Sequence, residues 1–381
     1  MPHFPAFLLI FSHVLPSRGT LSAPWMIRAF PGFALERSMP MTTPLVREAN
    51  PWTTPLRDLG LTILGTPLDA VLQDFQHELK QRGLTRVEPK FYLSTEWGVP
   101  FGSIAIAIPF YLARSELTRL HAERVGHLEG VGRADLLRYL RHEMGHVVNY
   151  AYQLYDREDW VKRFGSITQP YVEDYRPEPF STRFVRHLPG WYAQKHPDED
   201  WAETFAVWMT PGADWRADYA GWPEALAKLE YCDRTMQELA GREPAVTEVE
   251  FDENVADLPY TLDQYYRQQS GPAETFPRGL DGALRVVFED FAEAPEDAGG
   301  PARRPASELL RRWEPELLAN VYRWTGHFPE RTRALARHLA GRADELGLAY
   351  PHNREAAALL AVTTLITALA MNYVLRGHYL P

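Results

Sequence analysis

Leu136-Leu137-Arg138-Tyr139-Leu140-Arg141-His142-Glu143-Met144-Gly145-His146-Val147-Val148-Asn149-Tyr150-Ala151 is the stretch around which the rest of the chain can be arranged. Leu136, Leu137, Leu140, Met144, Val147, Val148 and Ala151 recur at spacings of three and four, the period of a helix with one buried face. In such a helix positions i and i+4 stand one turn apart on one side, so His142 and His146 can grip a single metal ion. Glu143 then projects beside that ion, placed to take a proton from a water. Neutral imidazoles at this spacing select zinc among the common metals. The competing reading is a core helix with two hydrogen-bonded histidines. A bare H-E-x-x-H does arise by chance, so its surroundings must decide.

A third ligand has to come from elsewhere. The metzincin extension would need Gly and His three and six residues after His146, but Asn149 and Tyr152 stand there. The single cysteine, Cys232, has no second thiol beside it. The run His196-Pro197-Asp198-Glu199-Asp200-Trp201-Ala202-Glu203-Thr204-Phe205-Ala206-Val207-Trp208 is the place to look. Pro197 and Asp198 supply a helix start, and acids crowd its first turn, where the helix dipole favours them. Trp201, Phe205 and Trp208 make one side strongly apolar, so this helix is docked and some carboxylates are buried. Glu199 and Glu203 share a face one turn apart. A buried carboxylate needs a cation or several donors, and a zinc on two neutral histidines needs an anion. The residues alone leave both acids open for that role.

His142–His146 followed far downstream by Glu199-x-x-Ala202-Glu203 resembles the gluzincin metallopeptidases, and most nearly a bacterial family of zinc-binding metallopeptidases. The similarity runs from about Leu59 to Met236 and includes Gly190-Trp191-Tyr192-Ala193-Gln194. It implies that Glu199 is the third zinc ligand and that Glu203 orients a zinc-bound histidine through its outer nitrogen. The long gap between His146 and the acidic helix is closest to the lethal-factor-like branch. That branch implies a further role for Tyr192 as a donor to the developing oxyanion. A tyrosine packed with its hydroxyl on a backbone carbonyl explains Tyr192 equally well. His196 is the rival donor and also reads as a helix cap, while His187 reads as a loop residue.

Composition sets the bounds. The chain has 381 residues, enough for two domains, and 45% hydrophobic and 12% aromatic content, enough for a real core. A net charge of −10 argues against nucleic-acid binding. One cysteine permits no internal disulfide and suits a cytoplasmic location. The apolar patch Phe7-Leu8-Leu9-Ile10-Phe11 is only weakly signal-like, with no preceding basic residue and no clean cleavage site. Residues 1–47, rich in Pro, Ser and Thr, read as disordered or as an over-long start.

Residues 51–241 are expected to form the metallopeptidase-like domain. Leu68–Leu79 has helical spacing after Pro67, and Phe91–Ser94 and Ser103–Leu112 are strand-like. The resemblance implies that such a small sheet pairs with substrate. Trp160–Trp191 is loop-rich, and helical periodicity returns over Glu224–Leu239. Residues 242–305 read as an acidic linker region and 306–381 as a helical C-terminal region. Ala356–Met371 is very apolar, but three threonines interrupt it. Its strictly apolar length falls short of the roughly twenty residues a span needs, so a bundle helix without stable membrane insertion is expected.

The expected fold is therefore α+β, a zincin-like metallopeptidase domain with a helical C-terminal appendage. The expected chemistry is zinc-dependent hydrolysis of a peptide or protein substrate, with Glu143 as general base. The alternative is a zinc-containing scaffold whose site is closed by a fourth ligand and does no chemistry.

Overall fold

A computed structural model describes residue 50 and residues 52–125, 127–172, 175–268, 276–277, 279–289 and 302–380. The expected disorder of residues 1–47 and most of the Pro/Gly-rich stretch before Pro305 lie outside the described residues. In chain order, helix α1 spans Pro67–Gln81, strand β1 Lys90–Ser94, strand β2 Ala105–Pro109 and helix α2 Ser115–Arg124. Helices α3 (Arg133–Ala151), α4 (Glu158–Phe164), α5 (Pro197–Met209), α6 (Trp215–Asp218), α7 (Pro223–Leu239) and α8 (Leu262–Gln268) follow. After α9 (Leu280–Glu289) come β3 (Arg303–Pro305), α10 (Ala306–Arg312), α11 (Glu314–Thr325), α12 (Pro329–Glu345), β4 (Ala349–Pro351) and α13 (Glu355–Arg376). Among the described residues the arrangement is mixed helical with two small sheets, in keeping with the α+β expectation.

Proline at the first helical position starts α1 and α7, since it loses no intrahelical bond there. The apolar face of α1, from Leu68 through Val71, Leu72 and Phe75 to Leu79, is buried in a first core. Leu140, Met144, Val147 and Val148 of α3 join Trp201 and Phe205 of α5 and Leu229 and Met236 of α7 in that core. The second predicted strand stops early. It ends at Pro109, and Phe110–Ala113 winds into a single 3-10 turn. Helix α2 has the polar sequence SELTRLHAER, which carries little periodic signal.

β1 and β2 pair in parallel, Lys90 opposite Ala105 through Ser94 opposite Pro109. The side of β2 away from β1 is partly occupied, because Ala107 N–H donates to the Gly98 carbonyl at 2.8 Å. The amide of Ala105 is likewise taken by Ser103 Oγ at 3.1 Å.

The stretch expected to be an acidic linker contributes to both cores. Val255, Leu262, Tyr265 and Tyr266 are buried in the first, and Leu280, Leu284 and Phe288 in the second. Apolar residues spaced one turn apart there outweigh the acidic average. The second core is completed by α10, α12 and α13 through Leu309, Leu335, Leu339, Val362 and Ile366. By length and composition alone His352–Arg376 could cross a membrane, and 33% of its most apolar window is buried. Ala358, Val362, Ile366, Leu369 and Ala370 form its packed face, while Leu360 is exposed. The two cores meet where Arg333 of α12 donates to the carbonyls of Ala122 and Arg124 at the end of α2.

Candidate metal centre

α3 and α5 cross at their smallest residues. A Cβ built on Gly145 would lie 2.7 Å from the Ala202 Cα, so the two helices come together only because Gly145 has none. Trp201 locks the crossing by donating its indole N–H to the Gly145 carbonyl at 2.8 Å. This approach sets the histidine face of α3 against the acidic face of α5.

Three ligand atoms converge between the helices. His142 Nε2 stands 3.0 Å from Glu199 Oε2, His146 Nε2 3.4 Å from the same oxygen, and the two Nε2 atoms are 3.3 Å apart. Zinc–ligand bonds of about 2.0–2.1 Å in tetrahedral geometry place neighbouring ligand atoms about 3.3 Å apart. The triangle formed by His142, His146 and Glu199 therefore has the size of one face of such a site, and the group could hold a metal ion.

The outer atoms of these groups are also held. Glu203, fully buried, places Oε1 2.9 Å from His142 Nδ1. Its Oε2 accepts the backbone N–H groups of His187 and Leu188 at 2.8 and 2.9 Å. The imidazole of His187 lies 2.9 Å from the Arg138 carbonyl, and burial lowers its pKa to about 4, so it is neutral and donates there. On the other histidine, Asp198 Oδ2 approaches His146 Nδ1 to 3.0 Å as an ion pair. Asn149 holds the second oxygen of Asp198 at 2.6 Å, and the Tyr150 hydroxyl also donates to Asp198. Tyr171, from the loop before α5, donates to Glu199 Oε1.

Charge in the cluster is strongly coupled. Burial disfavours an imidazolium at His142, yet its hydrogen bonds to Glu199 and Glu203 outweigh it and raise its pKa to about 9. His146 is raised well above its ordinary value, because Asp198 and Glu199 overcome the same burial. Burial alone would raise Glu199, but the two histidines hold it well below the usual carboxylate range. Three carboxylates around two imidazoles form a pocket that favours positive charge. A divalent cation fits that donor set.

Glu143 differs from the other acids. It is buried and its pKa is raised to about 7, first by burial and then by the charges of Glu199 and Glu129, against the lowering effect of His142 and His146. Burial and through-space charges act on its carboxylate, and among the described residues no hydrogen bond to it is found. Tyr192 sits in a short 3-10 turn with its ring edge-on to His142, centroids 5.5 Å apart. Its hydroxyl lies 3.4 Å from Lys195 Nζ, and burial, Glu199 and Tyr171 raise its pKa far enough to keep it a donor. His196 is the cap of α5, accepting the Asp198 N–H at 3.2 Å on Nδ1.

All six residues singled out in the sequence thus lie in one cluster. Asp198, Asn149, Tyr150 and Tyr171 join the site without having been candidates for it in the sequence. Asn149 and Tyr150 carried a signal, since they stand three and four residues after His146 on α3. Tyr171 carried none, because a loop delivers it.

A model of the family described as "Putative zinc-binding metallo-peptidase" matches residues 114–215, the stretch from the start of α2 to the start of α6. Every residue of the cluster falls inside it. Neither the curated proteins nor the solved structures contain a match.

Proposed function

We propose that the chain hydrolyses peptide bonds in a peptide or protein substrate, with zinc held by His142, His146 and Glu199 in a gluzincin-like arrangement. The observation that carries this reading is the ligand triangle with an unbonded Glu143 carboxylate beside it. A closed structural site has no use for that carboxylate, whereas hydrolysis requires a base there. Bound zinc would contribute Lewis acidity toward the scissile carbonyl and the attacking water. Glu143 takes the water's proton on its carboxylate and returns it to the leaving amine nitrogen. Tyr192 donates a hydrogen bond from its hydroxyl to the oxyanion that develops on the carbonyl oxygen. Glu203 and Asp198 hold the outer nitrogens of the two histidines and so turn both Nε2 atoms inward. Tyr171 fixes the free oxygen of Glu199 and leaves Oε2 for the metal.

The substrate does not gain the Ala107 amide by strand addition unless Gly98 gives it up. With a net charge of −10, nucleic acid is not the expected partner. α13 serves as a bundle helix, given its packed face. Metal analysis with a peptide-library cleavage assay tests the proposal. The expected result is about one zinc per chain and cleavage abolished by a chelator. Full cleavage by metal-free protein would contradict it.

A further inference from the structure

The C-terminal bundle reaches the metal centre through one turn of backbone. Gly190 has φ +83° and no room for a side chain, because a Cβ there would lie 2.6 Å from Cε2 and 2.8 Å from Cζ of Tyr322 in α11. Gly326, at the end of α11, packs against the same turn, and a Cβ there would lie 3.2 Å from the Gly190 carbonyl oxygen. That carbonyl accepts the Tyr175 hydroxyl at 2.7 Å, and the Tyr175 ring meets Phe328 of the bundle at 6.2 Å. Two residues before Gly190, the Leu188 amide and its neighbour at His187 donate to Glu203, which in turn holds His142. An unbroken series of short contacts therefore runs from Tyr322 through Gly190, the 187–188 amides and Glu203 to a candidate ligand.

We propose that the C-terminal helical bundle is a positioning element of the metal centre, with the Tyr322 ring bracing the Gly190 turn so that its amides hold Glu203 against His142. The inference rests on the zinc reading above. Tyr322 touches neither metal nor substrate on this account; it acts by fixing the geometry of a carboxylate that itself fixes a ligand. Groups that orient a histidine ligand usually contribute about 10–100-fold to metal affinity, and a brace one contact further out should contribute toward the lower end.

The test uses the full chain, with zinc affinity measured by competition against a chromophoric chelator and the visible spectrum of the cobalt(II) form recorded alongside. Tyr322→Ala should weaken zinc binding about tenfold and alter the cobalt spectrum. Tyr322→Phe, which keeps the ring, should match the wild type in both. Leu339→Ala, which opens the second core, serves as the control for general destabilisation and should leave both readouts unchanged in folded protein. Should Tyr322→Ala not fold, Gly190→Ala presses on the same turn from the other side and should weaken zinc binding with the bundle intact. Wild-type affinity in the folded Tyr322→Ala or Gly190→Ala protein, or an equal loss in Leu339→Ala, would overturn the brace while leaving the zinc site standing. A wild type that binds no zinc would overturn both.

Discussion

Gly145 and Ala202 meet where α3 and α5 cross, so closely that a Cβ on Gly145 would stand 2.7 Å from the Ala202 Cα. That contact sets the distance between the two histidines of one helix and the acids of the other. Gly145→Ala should splay the helices, at a cost of about 1–3 kcal/mol for the overpacking. It should also weaken zinc affinity, because the ligand triangle widens with the crossing. Urea unfolding and metal titration of the same variant check both effects. Unchanged affinity would mean that the crossing does not set the site's geometry.

Glu143→Gln separates binding from chemistry. The amide is isosteric, and among the described residues no hydrogen bond to Glu143 has to be replaced. Zinc should stay at wild-type stoichiometry while turnover falls by about 10²–10⁴-fold, the usual contribution of a general base. Undiminished turnover would assign the proton transfer to another group.

The acids of α5 should divide by role. Glu199→Ala removes an atom of the triangle and should abolish zinc binding. Glu203→Ala and Asp198→Ala each release one histidine's outer nitrogen, and each should weaken affinity by about 10–100-fold. Isothermal titration of the three variants would show the ranking. Zinc binding that survives Glu199→Ala but not Glu203→Ala would reverse the assignment.

The histidine pair and the shared face of Glu199 and Glu203 were legible because helical periodicity turns sequence spacing directly into a common surface. Asp198 was harder to read, since an acid in the first turn of a helix is explained by the helix dipole alone. The contacts of Tyr171, and of the His187 and Leu188 amides, depend on where a proline-rich loop travels, which no local period encodes. The pairing of β1 with β2 was also out of reach, because alternation marks a strand without naming its neighbour or direction. The acidic average of residues 242–305 hid buried positions such as Leu262 and Tyr265. A few apolar residues decide the packing of a segment whose composition says linker.

The second core should carry a pH dependence of its own. His327 is buried, with its ring nitrogens on Thr332 Oγ1 and the Tyr379 hydroxyl at 2.8 and 3.0 Å. Burial, helped by the charge of Arg331, lowers its pKa from 6.5 to about 3. The folded state keeps it neutral while the unfolded chain takes up a proton below pH 6.5. The stability it contributes is therefore intact above that pH and is lost as pH falls toward 3. Between pH 8 and pH 5 the wild type should lose about 2 kcal/mol more than His327→Gln, as measured by urea unfolding at the two pH values. Parallel losses in the two proteins would show that His327 is not the responsible group.

The most direct test of the metal centre is a crystal structure of zinc-loaded protein with diffraction data collected on both sides of the zinc absorption edge. The account predicts one anomalous peak between α3 and α5, about 2.0–2.2 Å from His142 Nε2, His146 Nε2 and a Glu199 carboxylate oxygen, with Glu203 still on His142 Nδ1. A peak bonded to Glu203 in place of Glu199, or no peak between the two histidines, would contradict it.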